Sequence, residues 1–463
     1  MKKSLIVLLA VILAGGICFA AQTEIKDDWK PSSKNQDFAE YPQVNSQGYA
    51  RFRIRLPEAS SVVVSLGLGG SGGTTLTKGE DGYWTGTTTG PLDEGFHYYH
   101  LTIDGGEYIN DPGTMTYYGS QRWESGIEIP AHDQDFYALK NVPHGKVSQI
   151  LFNSPSTESI KRAFVYTPPD YDKDQSVRYP VLYLQHGWGE NEYAWMNQGH
   201  ANLIMDNMLA EKKCKPFIIV CTYGMTNSAG MMGGGMRRGG GTRGGNRGGG
   251  MMGGGMMGGG RGGRGAAAPA APGVPGAAMA PAGDTPAGGR GMMGGGMGGM
   301  MGGRGGAGAG AAGGARRGGG MMGGMMGGMG GGFETVLLEE LIPYVDANFR
   351  TIANAANRGM AGLSMGGMET SQIAPPHPEV FSHIGLLSGG TISPSQLPDP
   401  SKVKFVFMSY GSKEGGGSGV QAAADALKEA GVEAMGYVSP DTAHEFQTWR
   451  RSLLQMAPHM FQD

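Results

Sequence analysis

One serine in this chain stands in a pattern that could make it a nucleophile. Residues 362–366 read Gly-Leu-Ser-Met-Gly, and in the G-x-S-x-G pattern a strand turns sharply into a helix and lifts a serine hydroxyl into an open site. Side chains two residues before or after the serine would collide in so tight a turn, which favours glycine at both positions. Ser364 is therefore the predicted nucleophile.

The pattern alone is weak evidence, because the 463 residues include 87 glycines and a second match surrounds Ser71. The sequence context distinguishes the two serines. Ser364 follows a short apolar stretch and precedes a segment that can form a helix, whereas Ser71 runs into a threonine-rich segment. We interpret Ser71 as a loop residue.

A serine hydroxyl needs a histidine base, which a carboxylate in turn orients. In this topology the chain order is serine, acid, histidine. His444 is the predicted base because it lies between a predicted strand and the last predicted helix. The predicted acid is Glu414, in the loop after a strand over residues 403–410, and Asp441 is the competing candidate.

The oxyanion that forms when an ester is attacked needs two backbone N–H donors. The first is predicted at Met365, directly after the nucleophile. The second is expected in residues 185–189 (Gln-His-Gly-Trp-Gly), from Trp188 or Gly187, because glycines there let the backbone approach a substrate. His186 precedes the serine in the chain, so we interpret it as structural.

Alternating strand and helix patterns surround these residues and predict one α/β domain with a parallel sheet over residues 146–463. Strands are predicted at residues 161–167, 179–185, 217–220, 384–387, 403–410 and 434–438, with a further strand leading into the serine turn at Met360. Helices are predicted at residues 198–212, 333–349, 420–430 and 445–461.

Residues 21–145 have a different pattern, in which short alternating runs recur between turn signals without a helical period. This pattern predicts an all-β sandwich over residues 41–145, preceded by a polar arm at residues 21–40. The aromatic residues of this part have two interpretations, a platform for sugar rings or a packed core; they are Phe96, Tyr98, Tyr99, Tyr117, Tyr118 and Trp123.

The first 20 residues have the pattern of a secretory signal, with two lysines, an apolar run and small residues before a cut after Ala20. Lipid attachment at Cys18 is disfavoured because the bulky Ile17 precedes it. Cys214 and Cys221 would remain, separated by a predicted strand that keeps them about 20 Å apart. They should not form a disulfide with each other, and we interpret both as core thiols.

Residues 228–332 are repeats of Met-Met-Gly-Gly-Gly and Arg-Gly-Gly around an Ala/Pro-rich patch. Ten arginines and a single acid give this insertion a net charge of +9, so the rest of a chain with net charge −3 carries −12. With almost no branched or aromatic apolar residues it is predicted to be disordered. It follows a predicted strand at the edge where such sheets carry their sites, and could attract an anionic polymer.

Three segments together resemble the family-one carbohydrate esterases, the feruloyl and acetylxylan esterase group with relatives among enterochelin esterases. They are residues 179–192 (Tyr-Pro-Val-Leu-Tyr-Leu-Gln-His-Gly-Trp-Gly-Glu-Asn-Glu), 362–367 and 443–450. Residues 95–99 and 110–112 resemble the immunoglobulin-like modules that often precede such esterases. The resemblance implies an α/β-hydrolase fold after an immunoglobulin-like sandwich, with a catalytic triad of Ser364, Glu414 and His444.

The expected function is that of a secreted serine esterase, periplasmic or extracellular, that cleaves feruloyl or acetyl esters on plant polysaccharide such as xylan. No metal, cofactor, nucleic acid or membrane partner is expected once the signal is removed. Two alternatives remain open, a non-catalytic glycan-binding protein and an esterase of siderophores or small thioesters. Family members often carry Asp where Glu414 stands, and the insertion is unusually long.

Overall fold

The structure is a computed structural model that describes residues 24–66, 73–225 and 331–462. The predicted signal at residues 1–20, Ser71 and all but the last two residues of the insertion lie outside the described residues. The described residues belong to one compact unit, and a second unit, Gly235–Gly318, lies outside them. Within the described residues, we find no helix with the length and apolarity that a membrane span requires.

Two antiparallel sheets form the sandwich that the short alternating runs predicted. Their order is β1-β2-β3-β7-β6 and β10-β11-β8-β4-β5, with β9 paired to β8. Apolar side chains from both sheets, among them Phe52, Val64 and Ile127, pack into one core. The strands are β1 (Lys30–Pro31), β2 (Gln43–Val44), β3 (Ala50–Arg55), β4 (Val62–Leu66), β5 (Gly73–Thr75), β6 (Thr77–Lys78), β7 (Tyr83–Thr87), β8 (Gly95–Ile103), β9 (Glu107–Ile109), β10 (Thr116–Gly119) and β11 (Arg122–Ile129).

The prediction of a free polar arm is wrong for the described residues 24–40. Strand β1 pairs with β2, and Lys34 is buried with its ammonium group 3.8 Å from the carboxylate of Glu128. Burial lowers the pKa of Lys34 to about 8, although Glu128 partly offsets this effect. The segment therefore pairs with the sandwich and supplies one charge to a buried ion pair.

An eight-stranded sheet follows, in the order β12-β13-β15-β14-β16-β17-β18-β19. Strands β12 and β13 are antiparallel to their neighbours, and β15, β14 and the strands after them run parallel. The α/β fold is thus confirmed, with one strand, β12, that was not predicted. The strands are β12 (Lys146–Ser154), β13 (Ser159–Thr167), β14 (Val181–Gln185), β15 (Ile218–Thr222), β16 (Arg358–Leu363), β17 (His383–Leu387), β18 (Phe405–Gly411) and β19 (Ala434–Ser439).

Helices cover both faces of this sheet. They are α1 (Ala194–Asn197), α2 (Ala201–Ala210), α3 (Gly331–Thr335), α4 (Ile342–Asn348), α5 (Met365–Ile373), α6 (Val420–Glu429) and α7 (Phe446–Met456). A π-helical segment, Val336–Leu341, joins α3 to α4, so the helix predicted over residues 333–349 is continuous but not uniformly α-helical. The parallel strands bring the segments that follow β16, β17, β18 and β19 to one edge of the sheet, where open α/β sheets carry their sites.

Strand β8 packs in two directions. Tyr99 lies in the sandwich core, whereas Phe96 and Tyr98 pack edge-on against Phe446 of α7 with ring centroids 5.8 and 6.4 Å apart. Tyr117 belongs to the same cluster. The core interpretation is therefore correct for these four aromatic residues, since a buried ring cannot serve as a free sugar platform.

The two remaining aromatic residues are accessible to solvent, and the two cysteines do not form a disulfide. Trp123 is 50% exposed, so the platform interpretation stays a prediction for it and for its half-buried edge-to-face partner Tyr118. Cys214 and Cys221 are both free, as predicted. Cys221 is buried and Cys214 only partly so, and burial raises the pKa of both thiols.

A buried ion pair joins the sandwich to the final helix. Arg450 has no exposed side-chain surface and donates from Nη1 and Nη2 to the two carboxylate oxygens of Glu128, at 2.5 and 3.1 Å. Its Nε and Nη2 groups also donate to the carbonyl oxygen of Gln198. Burial alone would raise the pKa of Glu128, but Arg450 and Lys34 lower it to about 2.

We expect Glu128→Ala to lower the free energy of unfolding by about 3–5 kcal/mol, because it leaves the Arg450 charge buried and unpaired. In the wild type the contribution of Glu128 is complete above its ordinary pKa of 4.5 and is lost as the pH falls through about 2. The melting temperature of Glu128→Gln should therefore depend less on pH in this window. Lys428→Ala, which breaks an exposed pair with Asp425, is the control and should melt like the wild type. Equal melting of Glu128→Ala and wild type would contradict the expectation.

Candidate active site

The turn between β16 and α5 holds Ser364 in an unusual backbone conformation, with φ 52° and ψ −115°. Its N–H donates to the carbonyl oxygen of Leu387 at 2.7 Å. A Cβ on Gly362 would lie 2.4 Å from the carbonyl carbon of Gly366, and one on Gly366 would lie 2.5 Å from the carbonyl oxygen of His186. The two glycines are therefore required by close backbone contacts, and the turn presents the serine at the edge of the sheet.

His444 lies between Ser364 and Glu414 and contacts both. Its Nε2 is 2.8 Å from Ser364 Oγ, and its Nδ1 is 2.6 Å from Glu414 Oε1. An ionised carboxylate can only accept, so Nδ1 carries the proton and Nε2 is left to accept the hydrogen bond of the serine hydroxyl. The three residues that the sequence singled out are thus brought together in the arrangement of a nucleophile, a base and an orienting acid.

Glu414 is fixed by several donors. Its Oε2 accepts hydrogen bonds from the Gly411 N–H at 2.6 Å and from the Ser388 hydroxyl at 2.8 Å, and Ser388 Oγ accepts one from the indole of Trp449 at 3.0 Å. Burial raises the pKa of Glu414, but the hydrogen bonds from His444, Gly411 and Ser388 outweigh burial, and the pKa lies below its usual value. The carboxylate is therefore ionised near neutral pH.

The competing acid, Asp441, does not occupy this position. It is exposed, and its backbone N–H donates to Ser412 Oγ. His186 is structural, as predicted: its Nδ1 donates to the carbonyl oxygen of Gly187 and its Nε2 accepts from the Gly224 N–H. Burial lowers the pKa of His186 to about 4, so the ring is neutral.

Two of the three predicted oxyanion donors, Met365 and Trp188, have backbone N–H groups with no backbone acceptor among the described residues. Met365 begins α5, so its N–H has no carbonyl partner within the helix and lies at the helix end that attracts negative charge. Residues 185–189 adjoin the nucleophile, since a Cβ on Gly187 would lie 3.5 Å from Ser364 Cβ. Among the described residues no acceptor contacts the Trp188 N–H.

The prediction for Gly187 is wrong as a donor to the oxyanion. Its N–H donates to Glu190 Oε2 at 2.9 Å, and a donor already engaged by a carboxylate cannot also serve a substrate oxygen. Glu190 is buried, which raises its pKa to about 7 despite hydrogen bonds that favour the ionised form. The Gly187 N–H therefore holds the loop in place, and Trp188 stays the predicted donor from this segment.

Sequence reasoning missed Ser388, Trp449 and Glu190. Ser388 directly follows β17, as Ser364 follows β16, so a search for polar residues immediately after each parallel strand would have found it. Trp449 and Glu190 stand inside two of the segments that carry the family resemblance. The sequence did not show the contacts of Trp449 with Ser388 and of Glu190 with Tyr98, because these join distant parts of the chain.

One group of side chains in the described residues has the composition of a metal site, Glu94, His132 and Asp133. Arg451 donates to both of these carboxylates, with Nη2 3.3 Å from Glu94 and Nε 2.7 Å from Asp133. The guanidinium therefore forms ion pairs with two of the three members of this group and ties them to α7.

We expect Gly362→Ala to slow the reaction of Ser364 with a fluorophosphonate probe at least about 100-fold, because a shift of about 1 Å misaligns a nucleophile. It should also lower the free energy of unfolding by about 1–3 kcal/mol, since the new methyl group has no space. The control is Gly90→Ala, where a Cβ meets no atom within 4 Å. Labelling by Gly362→Ala at the wild-type rate would show that the turn tolerates displacement.

Comparisons with known proteins show which families and structures this chain is similar to. Residues 328–460 match the family model named Esterase, described as a putative esterase. Over 440 residues the chain is 45% identical to a protein of Xylanibacter ruminicola named endo-1,4-beta-xylanase/feruloyl esterase; the match covers 94% of this chain and 48% of that protein, so the chain spans about half of its relative's length.

Two kinds of solved structure are also similar. A ferulic acid esterase from Anaeromyces mucronatus matches at a TM-score of 0.43 and 14% identity, over 72% of this chain and 96% of the other. The enterobactin esterase of Shigella flexneri matches at a TM-score of 0.49 and 13% identity, over 89% of this chain and 92% of the other. The resemblance that the motifs predicted is confirmed by the family model, which matches residues 328–460, and by the Xylanibacter relative.

Proposed function

We propose that this protein is a serine esterase that hydrolyses feruloyl or acetyl esters on plant cell-wall polysaccharide such as xylan. The observation that carries the proposal is the continuous hydrogen-bonded chain from Ser364 Oγ through His444 to Glu414 at a strained strand-to-helix turn. The substrate class rests on the Xylanibacter relative, which is named as a xylanase and feruloyl esterase.

In the proposed mechanism Ser364 Oγ attacks the ester carbonyl carbon while His444 Nε2 takes the hydroxyl proton. The carbonyl oxygen becomes an oxyanion, which the N–H groups of Met365 and Trp188 stabilise. The intermediate collapses, the sugar hydroxyl leaves with the proton from His444, and an acyl group remains on Ser364. Water then attacks the acyl carbon as His444 takes one of its protons, and the free acid leaves as that proton returns to Ser364.

Glu414 replaces the more usual aspartate without loss of geometry. The longer side chain reaches His444 from a loop that folds back on the end of β18, so that Gly411 N–H and Ser388 support its second oxygen. In this role the carboxylate holds the imidazole in one tautomer and stabilises the imidazolium that forms during attack.

An open cavity of about 460 Å³ could accommodate part of a sugar chain. It includes Asn191 and Tyr223, which follow β14 and β15 at the same edge of the sheet as Ser364, and Tyr118 of the sandwich. Its lining mixes charged, aromatic and aliphatic side chains: Tyr118, Leu151, Ser159, Ile160, Lys161, Arg162, Asn191, Glu192 and Tyr223.

We further propose that the chain is exported through the signal pattern of residues 1–20.

The first test is the hydrolysis of p-nitrophenyl acetate and methyl ferulate by wild-type protein and by Ser364→Ala. We expect the substitution to lower kcat by about 10⁴-fold or more, because Ser364 forms the acyl intermediate in the proposed mechanism. The ratio of the two wild-type rates would distinguish a preference for acetyl from one for feruloyl groups. A folded wild-type protein that hydrolyses neither ester would contradict the proposal and favour a glycan-binding role.

The second test concerns the acid. Glu414→Gln should lower kcat by about 10²- to 10⁴-fold, because an amide can donate to Nδ1 and so favour the wrong tautomer of His444. Asp441→Asn should retain the wild-type kcat, since its side chain lies away from the imidazole. The opposite pattern, with Asp441→Asn the impaired variant, would assign the acid to Asp441.

A further inference from the structure

A chain of buried hydrogen bonds runs from the sandwich to the loop beside the nucleophile. Tyr98 of β8 donates its hydroxyl to Glu190 Oε1 at 3.0 Å, and Glu190 Oε2 accepts the Gly187 N–H at 2.9 Å. Gln198 Nε2 donates in turn to the Tyr98 hydroxyl at 2.7 Å. Tyr98 and Glu190 are each only 3% exposed, so these bonds form out of contact with solvent.

Glu190 depends on these donors. Within the described residues it forms no ion pair, and a buried carboxylate without a cationic partner is stabilised only by the groups that donate to it. One donor comes from the loop and the other from the sandwich. Loss of the Tyr98 hydroxyl would leave Oε1 without a donor, and the carboxylate would gain from moving toward solvent or from taking up a proton.

The sandwich also contacts the other end of the same loop. Gln121, in the turn between β10 and β11, donates its N–H to the carbonyl oxygen of Gly189 at 2.8 Å. Gly189 has φ +78°, and a Cβ there would lie 2.8 Å from Ser120 Cα. Residues 187–189 are thus held at both ends by the sandwich, through Glu190 at one end and by direct backbone contact at the other.

The position of this loop decides where the Trp188 N–H points. Gly187 packs against the nucleophile turn, where a Cβ would lie 2.6 Å from Leu363 Cδ1 and 3.5 Å from Ser364 Cβ. An oxyanion donor acts only within about 2.7–3.1 Å of the developing charge. A small displacement of Gly187 therefore weakens the stabilisation of the transition state without removing any group of the triad.

We propose that Tyr98 is a positioning residue for ester hydrolysis: through Glu190 it fixes residues 187–189 so that the Trp188 N–H faces the oxyanion. This inference rests on the proposed esterase function and adds to it. It makes the sandwich a structural part of the catalytic site, in addition to any contact it makes with a polysaccharide.

Strand β8 offers a matched control. Tyr99 is the next residue, is fully buried, and donates its hydroxyl to Asp111 Oδ2 at 2.7 Å. Both members of that bond belong to the sandwich. Tyr98→Phe and Tyr99→Phe thus remove the same atom from neighbouring buried residues, and only the first change is connected to the active site.

The experiment measures kcat and KM for methyl ferulate and p-nitrophenyl acetate with full-length wild type, Tyr98→Phe and Tyr99→Phe, alongside their melting temperatures. We expect Tyr98→Phe to lower kcat about 10- to 100-fold with KM within about threefold, as for the partial loss of an oxyanion donor. Tyr99→Phe should keep kcat within about twofold of the wild-type value, even if its melting temperature falls as far as that of Tyr98→Phe. Equal kcat values for the two variants, or a Tyr98→Phe effect confined to KM, would overturn the inference.

Measuring kcat of Glu190→Gln is a second test of the inference that does not depend on the stability of Tyr98→Phe. The amide keeps the size of the side chain but presents an NH₂ group to one of two donors, so kcat should fall by a similar factor. Because both changes break one chain of bonds, Tyr98→Phe/Glu190→Gln should be no slower than the slower single variant. A folded Glu190→Gln with wild-type kcat, or multiplicative effects in the double variant, would overturn the inference. Wild-type protein without ester hydrolysis would instead refute the proposed function, and this inference with it.

Discussion

The backbone of Ser364 adopts a conformation that costs free energy, and the rest of the site depends on it. Such a conformation costs about 1–3 kcal/mol and persists only where the surroundings fix it. Here the bond from Ser364 N–H to Leu387 and the close contacts of Gly362 and Gly366 fix it. The same contacts bring the end of β14, and residues 187–189 that follow it, against the turn. The strained serine and the loop beside it are therefore parts of one packing arrangement.

Helix α7 connects this arrangement to the sandwich. It begins two residues after His444, and along its first two turns Trp449 donates to Ser388, Arg450 binds Glu128 and Arg451 binds Asp133. Trp449 supports Glu414 through Ser388, whereas the two arginines bind carboxylates of the segment around β11. Because these side chains share one helix, a displacement of the sandwich would be transmitted to the groups that hold Glu414 and His444.

Much of the site could be predicted because its residues follow strands. Apolar runs locate the strand ends, and a parallel sheet places those ends at one edge, which is how Ser364, Glu414 and His444 could be chosen from the sequence. The positions of strand ends do not show which carboxylate is long enough to reach the histidine or which groups donate hydrogen bonds to it. The choice between Glu414 and Asp441 was resolved only by the hydrogen bonds of His444.

The remaining differences share a physical cause, which is contact between distant segments. Residues 24–40 are polar, and polar residues are usually exposed, but Lys34 is buried because Glu128 lies beside it. Strand β12 is mostly exposed at the edge of its sheet and lacks a clear alternation of apolar residues. Gly187 was expected to serve the substrate, but its N–H donates to Glu190, whose other carboxylate oxygen accepts from Tyr98 of the distant sandwich.

These contacts also determine how the sandwich should be regarded. A module that only delivers an enzyme to its polymer needs few contacts with the catalytic domain and could be separated from it. Here Phe96, Tyr98 and Tyr117 lie in the same apolar cluster as Phe446 and Trp449 of α7, and separation would expose them together with the buried charge of Arg450. Both halves would then lose apolar burial and leave an ionic group unpaired. The sandwich and the α/β fold are therefore stable as one body, which is the condition under which a tyrosine from one can position a catalytic loop in the other.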